Sequence, residues 1–492
     1  VVASDVDCIL LTHAHIDHSG LIPLMYVNGF RGQVYSTSAT AQLCEIMLRD
    51  SAHIQMFEAE WRNRKAARSG GKLKEFVPLY DMDAAVNVCK QFVGCEYDKI
   101  YNIADGIKIR FTDVGHLLGS ASIEVWATEK TENGDVTEKI VFSGDIGNIN
   151  KPIIKDPKHV TDADYVVMES TYGNRSHGGT PNYVEDLTNI FKRTFERGGN
   201  VVIPSFAVGR TQELLYIIRK IKEDNLVGRD FDVYMDSPLA IEATNIFIKN
   251  VESCFDDEAV ELVRKGINPL SFPGLKYATT GDESKQINFD PNPKVIISSS
   301  GMCEAGRIRH HLKHNLWRPE CTIVFVGYQA VGTTGRIIVD GAEEIKLFGE
   351  PIQIKAEIVQ LKGSSGHADK DGLLCWINAF DRKPKKVFVV HGEDSVCDEF
   401  TECLKEEYGY DAMAPYTGGS YDLIADRVIS EGVKERKTRR TTSTQRGKTV
   451  FDRLVAAGKR LMTVITHNEG GTNKDLAKFT DQINALCDKW DR

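Results

Sequence analysis

Six residues, His13-Ala14-His15-Ile16-Asp17-His18, constrain this 492-residue chain more than any other stretch. Four of the six side chains are metal donors, and they follow directly on an apolar segment from Val6 to Leu11 that predicts a buried strand. On an extended backbone residues two apart share a face, so His13 and His15 can grip one ion. The chain then turns into a helix at Asp17 and His18, which face the other way and can grip a second. Imidazole and carboxylate together suit zinc and other borderline divalent cations. Two further donors stand in equivalent places. His116 follows a predicted strand from Ile107 to Phe111, and Asp145 follows Ile140-Val141-Phe142. A carboxylate can bridge two cations, and Asp145 is the natural bridge. One histidine alone would be read as a satisfied core residue. The H-x-H-x-D-H string after a strand, with a His and an Asp at later strand ends, reads as a metal centre.

Composition bounds the rest. At 41% hydrophobic and 27% charged, the chain has enough apolar residues for packed cores, which excludes a fully disordered polymer. No apolar run approaches the ~18 residues of a spanning helix, so no membrane partner is expected. The eleven cysteines are scattered without a C-x-x-C pair, the closest being Cys89/Cys95 and Cys397/Cys403. Free thiols point to a reducing, cytoplasmic setting. The chain begins with Val already inside its first predicted strand, so an upstream stretch is expected.

Three textures divide the chain. Residues 1–184 alternate strands with His- and acid-bearing loops, interrupted by a helical stretch from Ala41 to about Lys74. There Leu43, Met47, Ile54, Phe57 and Trp61 recur at helical spacing, and Ser69-Gly70-Gly71 supplies a stop. In residues 185–345 strand, small-residue turn and helix repeat. Val201–Ile203 leads into Gln212–Lys222, Phe231–Met235 into Ile241–Lys249, and Val295–Ile297 into Glu304–Leu316, with Thr322–Val326 following. That alternation predicts a parallel sheet with helices on both faces and ligands at the strands' C-terminal ends. Residues 346–425 return to the first texture. The segment 426–492 carries 15 Lys/Arg against 9 Asp/Glu, a net of +6. It reads as a basic linker, Lys434 to Lys448, followed by two amphipathic helices that dock on their own chain or on a second subunit, as in a homodimer.

These motifs resemble the metallo-β-lactamase superfamily and, more narrowly, its β-CASP group of nucleic-acid-processing nucleases. The resemblance covers residues 1 to about 425 and implies an α/β fold: an αββα sandwich interrupted by a parallel α/β domain, with a C-terminal helical extension. Three further elements carry it. Glu169 in Met168-Glu169-Ser170-Thr171-Tyr172-Gly173 matches the group's first signature acid, His367 in Ser365-Gly366-His367-Ala368-Asp369 its second signature residue, and His391 in Val390-His391-Gly392-Glu393 its third. A histidine at that third position resembles the RNA-acting members, and by analogy completes the second metal's shell. The group's first motif, an aspartate after an early strand, has no counterpart from Val1 onward, so strands completing the first sheet half are expected upstream.

The resemblance implies a zinc-dependent ribonuclease acting on single-stranded RNA. Two cations can lower the pKa of a bridging water and neutralise phosphoryl charge. The first of two Zn2+ takes His13, His15 and His116, the second Asp17, His18 and His391, and Asp145 bridges. His367 becomes the general acid, with Glu169 holding its ring. In-line attack would leave a 5′-phosphate and a 3′-hydroxyl. Helices that begin near small residues can grip phosphates, which singles out Ser205 with Arg210, Ser300 with Arg307, Thr333 with Arg336, and Ser365. His310, His311 and His314 share one helix without an acid nearby and read as a polar face. Other hydrolases of the superfold, acting on small esters or DNA, are disfavoured by the large insert and by His391. A catalytically inactive RNA-binding scaffold is disfavoured because all seven donors are present. Endonucleolytic and 5′-exonucleolytic modes both stay open. The net charge of −9 speaks against wholesale coating of nucleic acid, but a focused site of cations and a few arginines does not need bulk charge.

Overall fold

The computed structural model describes residues 2–68, 76–132, 134–178, 182–361, 365–434, 450–470 and 472–490. A small parallel sheet runs Cys8–Leu10, Gln33–Thr37, Phe92–Cys95 in that order, with Cys8–Leu10 at its edge. Facing it is a seven-stranded sheet. Its order is Ala412–Met413, Lys386–Val390, Tyr165–Glu169, Gly134–Phe142, Ala121–Thr131, Ile107–Asp113, Tyr101–Ala104. The first four of these strands are parallel and the last three join by antiparallel pairing.

The two sheets meet through Ile109, Phe111, Ile123 and Val125 against Leu10, Tyr35 and Cys95. Helices Ser38–Arg68 and Met82–Cys89 cover the small sheet, where Leu43 and Val88 pack with Phe30 and Val34. Helices Lys370–Ile377 and Asp394–Glu406 cover the large one, where Trp376, Phe400 and Leu404 pack on Val166, Met168 and Val389. The result is the expected αββα sandwich.

The inserted unit is a six-stranded, wholly parallel sheet in the order Leu275–Tyr277, Asp232–Asp236, Lys294–Ser298, Val201–Pro204, Thr322–Phe325, Glu357–Gln360. Strands 201–204, 294–298 and 322–325 are buried at every residue, which explains why they read as unbroken apolar runs. Helices Tyr183–Glu196 and Arg210–Glu223 pack on one face and Ile308–Asn315 and Thr334–Val339 on the other.

Three expectations change. The boundary expected at 345 moves, because Glu357–Gln360 pairs in register with Thr322–Phe325 and so belongs to the inserted sheet. The helix expected from Glu304 begins only at Ile308; the turn before it holds Cys303 and Gly306 at φ of 63° and 81°, incompatible with a helix. Helices Asp257–Arg264 and Gly281–Phe289 and strand Leu275–Tyr277 occupy a stretch for which the sequence offered no reading. In the long helix Leu43 is buried, whereas Phe57 and Trp61 are 58% and 53% exposed, so its second half stands clear of the core. The expected stop at Ser69-Gly70-Gly71, Ser364, and the basic linker beyond Lys434 lie outside the described residues.

Both C-terminal helices form, Val450–His467 and Asn473–Trp490, and the first touches the Ala3–Asp5 turn. Among the described residues no helix is long and apolar enough to cross a membrane. All eleven cysteines are unpaired.

Trp376 is the largest fully buried side chain and joins the return segment to the large sheet. Trp376→Ala should lower unfolding stability by about 3–5 kcal/mol in a denaturant titration. A loss below about 1 kcal/mol would show that this helix does not anchor the sandwich.

Candidate metal centre

Each donor is presented by a loop that follows a strand, and local hydrogen bonds fix each loop. Beyond Leu10 the chain runs through His13 and His15 into the one-turn helix Ile16–Ser19. Ser19 Oγ donates back to Ala14 O at 2.9 Å and His15 O at 3.0 Å, which locks the turn. His116 sits in a loop opened by Gly115 at φ 63°. There Ser120 Oγ accepts from the backbone N–H of His116 and of Leu117 at 3.0 and 3.1 Å. Asp145 follows Gly144, also at positive φ. His391 ends the strand Lys386–Val390 in the left-handed region, φ 51°, a conformation that turns its ring toward the other donors.

The donors converge as two groups, His13, His15, His116 and Asp145 in one and Asp17, His18 and His391 in the other, and Asp145 also approaches the second. In the first, His15 Nδ1 lies 3.1 Å from both His13 Nε2 and His116 Nε2, while Asp145 Oδ2 lies 3.3 Å from His13 Nε2 and 3.6 Å from His116 Nε2. In the second, His18 Nε2 lies 3.2 Å from His391 Nε2 and 3.8 Å from Asp17 Oδ2, and Asp145 Oδ1 is 3.3 Å from His18 Nε2. One carboxylate oxygen thus faces each group. Ligands of a tetrahedral zinc, each about 2.0–2.1 Å from the ion, stand about 3.3 Å from one another. The observed spacings match that edge length. Asp145 Oδ1 is also buried yet accepts no well-formed hydrogen bond among the described residues, which leaves a lone pair for a cation. The residues fit zinc on donor type, on spacing and on this oxygen.

Electrostatics agree with the geometry. Burial pushes His13, His15 and His116 below the ordinary imidazole range, His15 to about 3, so their lone pairs stay unprotonated. Burial alone would raise Asp145, but the imidazoles of His13 and His18, each 3.3 Å away, outweigh it and hold the carboxylate ionised. The approach of Asp17 Oδ2 to His391 Nε2, 3.7 Å, lowers the acid and lifts the imidazole to about 9. A cation bound between them would displace that proton.

Beside the two groups lies a third pair. His367 Nδ1 stands 3.2 Å from both oxygens of the buried Glu169, and its Nε2 faces Asp145 Oδ2 at 3.9 Å. Glu169 is itself fixed by backbone N–H groups of Ile146, 2.6 Å, and Thr171, 3.3 Å. Burial works to lower His367, but the charge of Glu169 outweighs it and raises its pKa.

Each arginine expected to grip phosphate pairs with an acid of the chain, Arg210 and Arg307 in largely buried positions and Arg336 on the surface. Arg210 pairs with Glu213 at 2.5 Å, and Arg336 with Asp340 at 2.8 Å. Arg307 pairs with the buried Asp236 at 2.7 Å and donates to Ala278 O and Thr279 O. Ser205 is buried and bonded to Phe206 O, Ser300 donates to Ala305 O, and Thr333 caps its helix. Ser365 Oγ accepts from the His367 N–H, at 3.1 Å, and is the one of the set that touches the centre's own segment.

His311, expected on a polar face without an acid nearby, is buried with Nε2 2.6 Å from Asp236. Sequence reasoning missed that acid because it arrives from a strand 75 residues earlier. It also missed His177, whose Nε2 lies 3.2 Å from His367 O, and Lys151, whose Nζ donates to His116 O at 2.9 Å. The S-T-Y-G-N-R-S-H run that begins one residue after Glu169 was the available signal for His177.

Comparisons with known proteins agree with this architecture. Residues 211–338 match the Beta-Casp domain family model, and residues 351–415 match the model for a Zn-dependent metallo-hydrolase RNA specificity domain. Ribonuclease TTHA0252 of Thermus thermophilus is 35% identical over 390 residues, 79% of this chain and 82% of that protein. The RNase J-like protein of Methanocaldococcus jannaschii is 31% identical, over 79% of this chain and 82% of its own. Transcription termination factor FttA of Methanosarcina mazei is 31% identical over 84% of this chain but only 62% of its own length. The chain therefore spans less than two thirds of that relative.

One glycine makes the centre possible. A Cβ on Gly147 would stand 1.9 Å from Gly115 O and 2.6 Å from His116 N. Gly147→Ala should therefore shift the His116 loop, costing about 1–3 kcal/mol in urea unfolding and lowering bound metal in elemental analysis. A variant with wild-type stability and full metal content would refute this packing role.

Proposed function

This chain belongs to the β-CASP family of metallo-β-lactamase-fold hydrolases, and from that premise we propose that it is a zinc-dependent ribonuclease that hydrolyses RNA phosphodiester bonds. The observation that carries the reading is the gathering of six further donors around the buried carboxylate of Asp145, with the Glu169–His367 pair beside it. His13, His15, His116 and Asp145 would hold one ion, and Asp17, His18, His391 and Asp145 a second. Bound there, two divalent cations supply an activated water at neutral pH and positive charge against the phosphoryl oxygens.

The chain's own residues do the rest. Asp145 keeps the two halves at a fixed spacing and stays ionised because imidazoles surround it. Glu169, pinned by two backbone N–H groups, accepts from His367 Nδ1 and so points Nε2 at the reacting centre. A raised pKa keeps that ring protonated, and Nε2–H delivers its proton to the leaving 3′-oxygen as the P–O bond breaks. The other fragment keeps the 5′-phosphate. Ser365 holds the backbone of His367 and with it the direction of that proton.

Relatives named ribonucleases support RNA as the substrate, and His391 at the third signature position supports it independently. The unpaired cysteines support a reducing, cytoplasmic setting. The exposed Leu454, Met462, Leu486 and Trp490 on the C-terminal helices support a second copy seated there.

RNA labelled separately at its 5′ and 3′ ends, with and without chelator, tests the reading. Cleavage should require metal, and the two labels separate internal cutting from trimming. Asp145→Ala should abolish cleavage, and His367→Ala should lower kcat by about 10²–10⁴-fold while both retain the fold by circular dichroism. Intact RNA under every metal condition, or normal cutting by Asp145→Ala, would overturn the proposal.

A second measurement addresses the metal count. Elemental analysis of the zinc-loaded chain should give two ions, falling to one in His18→Ala. One ion in the wild type would refute the binuclear assignment.

A further inference from the structure

The connection between strands Gly134–Phe142 and Tyr165–Glu169, which carries Asp145, also holds a buried ammonium with no role in the chemistry above. Lys151 lies six residues beyond Asp145, and its side chain is 11% exposed. Its Nζ donates to the backbone carbonyl of His116 at 2.9 Å and pairs with Glu213 Oε1 at 3.3 Å. Glu213 belongs to helix Arg210–Glu223 of the inserted unit and is 9% exposed. The same carboxylate takes Arg210 at 2.5 Å. One ammonium therefore touches both the main chain of a metal-donor loop and an acid of the other unit.

The surroundings leave it little freedom. Gly209, at φ 83°, opens the helix so closely against Leu117 that a Cβ there would stand 3.0 Å from the leucine side chain. His116, Leu117, Lys151, Gly209, Glu213 and Phe247 line one narrow cleft between the units. The His116 ring is meanwhile held from the other side, Nδ1 to Gly366 O at 3.1 Å. Breaking a buried pair by removing one partner strands the other charge, so neither Lys151 nor Glu213 is replaceable alone without local movement. The structure that moves first is the carbonyl Lys151 holds.

We infer that Lys151 is a positioning residue that ties the seating of the inserted unit, through Glu213, to the backbone of His116, so that zinc affinity at the three-histidine group depends on a contact between units. The inference rests on the reading of His116 as a zinc donor. It assigns the S-F-A-V-G-R turn and the helix after it a task other than gripping phosphate.

The test uses the zinc-loaded full chain. Wild type, Lys151→Met, Lys151→Arg, Glu213→Gln and the double variant Lys151→Met/Glu213→Gln are dialysed against graded chelator. Retained zinc is read by elemental analysis, and the metal-free proteins are melted in parallel. Lys151→Met and Glu213→Gln should each lose one zinc at about 10–100-fold lower chelator, with Lys151→Arg between them and wild type. The double variant should lose no more than the worse single. A merely structural role would lower the metal-free melting temperature and leave zinc retention unchanged, and that outcome overturns the inference. Should Lys151→Met fail to fold, the isosteric Glu213→Gln decides alone, since wild-type retention there also overturns it. His116→Ala separates the levels. If it releases one zinc while the Lys151 and Glu213 variants do not, only this inference falls; if it keeps both, the reading of His116 falls as well.

Discussion

The organising constraint of this protein is one buried carboxylate that must serve two sides. Asp145 is nearly inaccessible to solvent, its Oδ2 facing His13 and His116 and its Oδ1 facing His18. An isolated carboxylate in that position would be costly and would take up a proton. Surrounding imidazoles reverse the balance, and cations would reverse it further. The five strand-end loops around it have their turns, caps and positive-φ residues set by the need to aim donors at this one group.

That requirement explains which parts of the fold are rigid. Gly115, Gly144 and Gly147 crowd the donor loops together where no side chain fits. Ser19 and Ser120 hold backbone atoms, and Glu169 spends both oxygens on backbone N–H groups before it meets His367. The αββα sandwich supplies a platform behind these loops, since every strand that ends at the centre is anchored in a core on at least one face. The inserted sheet is buried throughout in its central strands and presents a second rigid body to the same loops.

Much of this was legible in the residues. The H-x-H-x-D-H string after an apolar run located four donors, and repeated strand-turn-helix texture located a parallel sheet, because both are local patterns. What escaped notice was non-local. Arg307 read as a phosphate grip because Asp236 lies 71 residues away in sequence and only the fold brings them within 2.7 Å. Lys151 carried no reading for the same reason, since Glu213 lies 62 residues away and only the fold pairs the two. The edge strand Glu357–Gln360 looked like part of the first texture because a four-residue strand carries too little period to say which sheet it joins. The seating of the serines and arginines of the inserted unit could not be read from spacing, since a helix start near a small residue looks alike whether it holds a ligand or its own side chains.

The donor set also has a consequence for time. His13 and His391 are 378 positions apart in the chain, and the whole inserted unit lies between them. A chain emerging from its N-terminus can form the His13–His18 turn early, and the Asp145 loop soon after, but His367 and His391 arrive only when almost all of the sandwich has been made. Until then the first four candidate donors stand together without the imidazoles of His367 and His391. The candidate site is therefore completed in one late step.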